Sequence, residues 1–323
     1  MSLLSKLHMV NGFIMTKYFN RVPFYATYNV TFRCNSRCVY CDYWKSDPPE
    51  LNTENALRVI DRMAESGISM LAISGGEPLL RNDLVPLLKR ARDSGVVTTL
   101  NTSGLIIKEQ LAFELAKYVD ALTISIDGPP EIHDKQRGIS GAFERSLRAL
   151  ALYKSAGIKV GINMVLTDLN RDLVLETYNL LESHIDFMTV QPVNPPLKNS
   201  ISEKTVDDLY SIKDKGKLFL PEQYIEKMKE YFDGSFAKIC DALKLYYAVD
   251  PLGNVTACAP RHDIIVGNLL QDSYRQIVSS ISKTSMEKIE NCSGCYLVCT
   301  VGVNMQIKQP ILSSATQGIR TYF

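Results

Sequence analysis

Cys34, Cys38 and Cys41 stand in a C-x3-C-x2-C run, and Gly75-Gly76-Glu77-Pro78 follows about one βα unit later. Thiolates are soft ligands suited to iron–sulfur clusters, and three of them leave one iron of a four-iron cluster without a protein ligand. An open iron can bind a substrate or cofactor. A ferredoxin needs a fourth thiolate nearby, yet the next cysteine here is Cys240. Zinc is the alternative use of clustered cysteines, although zinc sites prefer paired C-x2-C knuckles and four ligands. Glycines such as Gly75 and Gly76 let a backbone approach a ligand closely, and a carboxylate such as Glu77 accepts hydrogen bonds from an ammonium. Without the cysteines, the glycine pair reads as an ordinary strand-to-loop turn.

In this order and spacing the two motifs resemble those of the radical S-adenosylmethionine (radical SAM) superfamily. Tyr40 holds the place of the aromatic residue that the family sets before its third cysteine, against the adenine. Residues 75–78 match the family's GGEP segment, which contacts the amino group of S-adenosylmethionine. The resemblance implies a 4Fe–4S cluster whose open iron chelates the amino and carboxylate groups of S-adenosylmethionine. One electron then cleaves the sulfonium bond, and the resulting 5'-deoxyadenosyl radical abstracts hydrogen from carbon. It also implies a reductant such as a flavodoxin or ferredoxin.

At 323 residues and 46% hydrophobic content the chain can fill a sizeable core, as one large or two modest domains. A net charge of +1 gives no electrostatic footprint for nucleic acid. Eight closely spaced cysteines suit metal binding in a reducing compartment better than disulfides, and no signal peptide is visible. The expected location is cytoplasmic. Residues 1–24 mix Leu3, Leu4, Leu7, Met9, Val10, Phe13, Ile14 and Met15 with Lys6, Lys17 and Arg21. That stretch is too short and too interrupted at Asn11-Gly12 to span a bilayer. It is read as packing on the catalytic domain, with an interfacial helix peripheral to a membrane as the alternative.

Residues 25–190 alternate apolar runs with amphipathic segments, as repeated βα units do. Six strands are expected, at 26–31, 68–73, 96–100, 121–126, 159–165 and 187–190, with Thr53 capping the helix after the cysteine loop. Six is short of the eight that close a barrel. The expected class is α/β, a partial (βα)6 TIM-like barrel, with a small C-terminal Cys-rich β-hairpin/α domain.

Ligands of parallel α/β folds collect at the carboxyl ends of strands, which singles out Asn101, Ser125 and Asp127, with Asn163 a weaker candidate. Each also has the plain reading of a strand-end residue that bonds its own backbone. Ser125 and Asp127 resemble the family's segment for the ribose or amino acid portion of S-adenosylmethionine. The run from His133 to Gly138 is similar to one in members with an extra cluster domain. Arg137 there suits the cofactor carboxylate, and His133 is read as structural.

Residues 191–239 change character. Pro192, Pro195 and Pro196 break the βα rhythm, and a charged stretch reads as surface helices linking two modules. The second module, 240–323, carries Cys240, Cys258, Cys292, Cys295 and Cys299. Residues 250–255 read as a hairpin turn. The C-x12-G-x4-C spacing through Gly253 resembles the opening of SPASM and twitch extensions. With five cysteines rather than seven or more, a twitch-like domain with one auxiliary 4Fe–4S cluster is expected, and a zinc site is the alternative.

These readings lead to an enzyme that drives oxidation or C–C or C–S bond formation on a peptide or small molecule. A lipid substrate or a cofactor-biosynthesis role stays open. A non-catalytic iron–sulfur electron carrier or scaffold is the competing class.

Overall fold

The computed structural model describes residues 3–19, 22–45, 47–194 and 201–309. Arg21, Pro195, Pro196 and everything from residue 310 lie outside the described residues.

One sheet organises the chain. Six strands, β1 (Tyr25–Thr31), β2 (Met70–Gly75), β3 (Val97–Thr102), β4 (Ala121–Ser125), β5 (Lys159–Leu166) and β6 (Phe187–Pro192), pair in parallel and in sequence order. The sheet continues past β1 into β7 (Tyr246–Val249), parallel to it, and then into antiparallel β8 (Asn254–Thr256) and β9 (Ile265–Asn268). The cysteine-rich C-terminal segment therefore extends the barrel sheet, with Tyr25 opposite Tyr246 and Tyr28 opposite Val249.

Alternation decides what each face of the sheet does. Tyr28, Ile73, Leu100, Leu122, Ile124, Ile162, Met164 and Val190 are fully buried against the covering helices. The intervening Thr27, Asn29, Thr99, Asn101, Thr123, Ser125, Asn163, Thr189 and Gln191 face the other way, into a cavity. Parallel strands covered on both faces are usually apolar throughout. This period-2 polar row marks an interior left open for a ligand.

The helices follow their local signals with some shifts. Asn52, rather than Thr53, caps the helix Thr53–Glu65, accepting from the Asn55 amide, and the helix buries Ala56, Val59, Ile60 and Met63. Helix Leu3–Phe19 runs through Asn11-Gly12 without a break because Gly12 lies on Ser69, where a Cβ would stand 1.6 Å from Ser69 Oγ. The helices of 203–233 bury Leu209, Ile212, Tyr224, Ile225 and Met228 in the main core, so this stretch is packed structure rather than a solvated bridge.

Candidate functional site

The loop after β1 carries Cys34, Cys38 and Cys41 and is clamped from two sides. On one side the Gly76 amide donates to the Thr31 carbonyl and the Glu77 amide to the Arg33 carbonyl, both at 2.8 Å. The approach is so close that a Cβ would stand 2.1 Å from Thr31 O at Gly75 and 2.2 Å from Arg33 O at Gly76. Gly75 also has φ +136, which glycine alone takes readily. These glycines thus let backbone meet the cysteine loop, and Gly75 alone of the two also lines the cavity.

On the other side the helix Pro130–Arg137 ends against the loop. The Arg37 amide donates to Arg137 O at 2.9 Å and the Val39 amide to Gln136 O at 3.0 Å. Gly138, at φ +65, ends this helix where a Cβ would stand 2.6 Å from Arg37 O.

Glu77 is fully buried, and its carboxylate takes four protein donors: Leu79 N, Thr102 Oγ1, Ser103 N and Ser103 Oγ. Burial pushes its pKa up, and these hydrogen bonds hold it down in part. Its side chain ties the glycine turn to the end of β3 instead of reaching into the cavity. The donors Thr102 and Ser103 were missed by sequence reasoning; their signal was a hydroxyl pair beside Asn101 at a strand end.

Asp127 is likewise fully buried. It accepts from Tyr40 OH at 2.7 Å and from the Val165 amide at 3.0 Å, and it pairs with Arg137 Nε at 2.8 Å. Its own amide donates to His133 Nδ1 at 3.0 Å, and Asn170 Nδ2 donates to its carbonyl at 2.6 Å. Asp127 is therefore a positioning residue. The groups it positions, Tyr40 and Arg137, do line the cavity. The Arg137 guanidinium lies 5.7 Å from the Tyr40 ring centroid and donates to Cys38 Sγ at 3.6 Å. Burial disfavours the Arg137 cation, but the charge of Asp127, joined by Tyr40, Cys38 and the hydrogen bond to Asp127, offsets that and holds its pKa above the ordinary value.

The cavity, of about 550 Å³, runs through the barrel from Tyr25, Met70 and Phe187 to Tyr40, Arg137 and Cys299. Asn101, Ser125 and Asn163 line it, whereas Gly76, Glu77 and Asp127 sit outside it. Its wall contains no carboxylate among the described residues, and its two cations are Arg137 and Lys213.

The five C-terminal cysteines come together beside the same cavity. Burial raises the Cys258 thiol, and the neighbours adding to that are Cys295, Cys240 and Cys299. Burial pushes Cys299 up to about 12 and Cys34 up to about 11. Tyr43 stands between the two cysteine groups, raised first by burial and then by Cys41, Cys258 and Cys299. Its ring packs on Phe32 at 4.5 Å and on His262 at 5.8 Å.

Residues 28–181 match the Radical SAM superfamily. Mycofactocin maturase MftC of Mycobacterium tuberculosis (strain ATCC 25618 / H37Rv) is 30% identical over 275 residues, which are 79% of this chain and 70% of that protein. The chain belongs to the radical SAM superfamily. Fe-coproporphyrin III synthase of Methanosarcina barkeri (strain Fusaro / DSM 804) is 36% identical over 161 residues, 49% of this radical SAM chain and 40% of the synthase. The chain thus spans about two fifths of the length of the first curated relatives it matches. Streptococcus suis SuiB bound to S-adenosylmethionine shares the fold, with a TM-score of 0.65 at 16% identity, covering 84% of this chain and 68% of SuiB.

Radical SAM domains take a 4Fe–4S cluster and S-adenosylmethionine, and the residues here fit both. Three thiols on one clamped loop are the donor set of a cluster with one open iron. Arg137 Nη2 is buried without a hydrogen-bond partner, which suits an anionic group such as a carboxylate in the cavity. Among the described residues no three His, Cys, Asp or Glu side chains are close enough to hold a single metal ion. A four-iron cube takes each thiolate at a separate corner and needs no such tight set.

Proposed function

We propose that this radical SAM enzyme abstracts hydrogen from a peptide, using an auxiliary 4Fe–4S cluster in its C-terminal segment to handle the electron that follows. When bound, the cluster at Cys34, Cys38 and Cys41 and S-adenosylmethionine supply the 5'-deoxyadenosyl radical. The protein's own part is positional. Tyr40 offers its ring to the adenine, Arg137 neutralises the carboxylate of S-adenosylmethionine, and Asn101 and Ser125 offer hydrogen bonds from the strand ends. Asp127 and Glu77 fix these groups from behind.

The observation that carries the reading is the placement of Cys299 in the wall of the cavity that Tyr40 and Arg137 also line. A substrate there lies within reach of both cysteine groups. Cys240, Cys258, Cys295 and Cys299 are assigned to the auxiliary cluster, because Cys258 has the other three as its neighbours. Cys292 neighbours Cys295 as well, but it bonds with Arg261 and is absent from the neighbours of Cys258, so it is left out of the set. Peptide is favoured as substrate by the MftC alignment, which runs past the core into this segment, and by SuiB, whose structure has been solved with its precursor peptide SuiA. The higher identity to Fe-coproporphyrin III synthase, confined to half the chain, supports a small-molecule substrate as the second reading. A flavodoxin or ferredoxin in a reducing cytoplasm is the proposed electron source.

The test is anaerobic reconstitution with iron and sulfide, then reduction in the presence of S-adenosylmethionine. Release of 5'-deoxyadenosine is expected, and its absence from fully loaded protein would leave only an electron carrier or scaffold. Deuterium transferred from labelled candidate peptides into 5'-deoxyadenosine distinguishes the two substrate readings.

A further inference from the structure

Helix Leu3–Phe19 is apolar on two opposite faces. One face is spent inside the molecule: Met9 packs with Met70 and Val97, Phe13 packs beside Leu245 and Ile307, and Gly12 lies on Ser69. The other carries Leu7, Val10, Ile14 and Tyr18, spaced by three, four and four residues, and they are 60%, 52%, 40% and 56% exposed. That spacing places all four along one stripe of a helix. Other large exposed apolar residues, such as Phe113 on helix Glu109–Leu115 and Leu180 on helix Val174–Leu181, stand singly. A helix apolar all round is ordinarily covered all round.

We propose that this stripe docks on an anionic lipid surface. The charge of the segment selects that occupant. No aspartate or glutamate precedes Asp42 in the sequence, while Lys6 and Lys17 fall in the helix; the Lys17 ammonium donates to the Ile307 and Gln309 carbonyls and has no carboxylate hydrogen-bond partner among the described residues. A basic, acid-free helix with an apolar face suits the interface of a membrane carrying anionic lipid. The same charge opposes a second copy, because a two-fold contact through this face would bring two basic segments together. The helix of 17 residues lies on such a surface rather than crossing it, and no helix among the described residues is long and apolar enough to span a bilayer. Met9 shares a buried cluster with Met70, a residue of the cavity wall, so the docked helix would form a layer beneath the barrel floor.

The test is vesicle flotation of the full, cluster-loaded chain carrying no N-terminal tag. Vesicles of phosphatidylcholine alone are compared with vesicles containing phosphatidylglycerol, at low and high salt. The protein is expected to float with the anionic vesicles and to be released at least tenfold as salt rises. The variant Leu7→Gln/Val10→Gln/Ile14→Gln/Tyr18→Gln keeps helix-forming residues and should lose flotation at least tenfold, while Phe113→Gln floats as the parent does. Unchanged secondary structure and iron content in the fourfold variant separate lost docking from lost fold. Failure of the parent chain to float with anionic vesicles, or equal flotation of the fourfold variant, overturns the proposal. So does a parent dimer in solution that the fourfold variant abolishes, which would assign the stripe to a second copy.

Discussion

Asp127 Oδ2 and Arg137 Nε lie 2.8 Å apart, and Asp127 has no solvent exposure at all. The pair joins the end of β4 to the helix whose last carbonyls hold the cysteine loop. Removing the carboxylate charge while keeping the shape leaves the Arg137 cation buried without its counter-ion, which typically costs about 3–5 kcal/mol. Asp127→Asn is therefore expected to lower stability to urea by that order and to weaken retention of the N-terminal cluster. A loss of under about 1 kcal/mol in anaerobic urea titrations would mean that another group neutralises Arg137.

Gly76 allows no side chain. The atom a Cβ would strike, Arg33 O, is backbone of the cysteine loop, so relief requires the loop itself to move. Gly76→Ala is expected to cost about 1–3 kcal/mol and to reduce the iron bound by the N-terminal cysteines. Gly157→Ala is the control, since nothing lies within 4 Å of its Cβ although φ is +85. That variant should cost about 1 kcal/mol and leave iron content unchanged. Equal iron content in the two variants would separate the glycine turn from the cluster loop.

His133 gives the fold a pH dependence of known sign. Burial first, then the Arg137 charge, lowers its pKa from 6.5 to about 4, and its Nδ1 accepts from the Asp127 amide. The unfolded chain therefore binds this proton more readily than the folded one. Stability is full above pH 6.5 and is lost as pH falls toward 4, by up to about 3 kcal/mol. His133→Asn keeps an acceptor for the Asp127 amide and does not titrate, so the variant should lose less stability than the parent over this interval. Denaturant midpoints measured for both from pH 7.5 to 4.5 check it, and parallel curves would remove His133 as the cause.

Much of this was legible in the sequence because it rests on local chemistry. Strand positions followed from apolar runs, and the cysteine and glycine motifs were read in their order. The roles of Glu77 and Asp127 were not, because the sequence shows that a carboxylate stands at a strand end but not which way it points. Glu77 is consumed by Thr102 and Ser103, and Asp127 by Tyr40, Val165 and Arg137, all distant in sequence. The polar lining was visible as Thr27-Tyr28-Asn29 and Thr99-Leu100-Asn101, but alternation of this kind marks a solvated sheet face as readily as a cavity wall. The pairing of β7 with β1 depends on contacts about 220 residues apart, which no local pattern encodes.

The two cysteine groups should separate cleanly in iron analysis. The proposed content of the reconstituted chain is about eight irons, about four at each cluster. Cys34→Ala, Cys38→Ala or Cys41→Ala should retain about four and release no 5'-deoxyadenosine, since the open iron is lost with its loop. Cys258→Ala should also retain about four, yet still cleave S-adenosylmethionine, because its loss touches only the second group. Cys292→Ala is the discriminating variant. Cys258 has Cys240, Cys295 and Cys299 as neighbours whereas Cys292 bonds with Arg261, so all eight irons are expected to remain. Loss of half the iron on replacing Cys292, with none lost on replacing Cys240, would exchange those two in the ligand set.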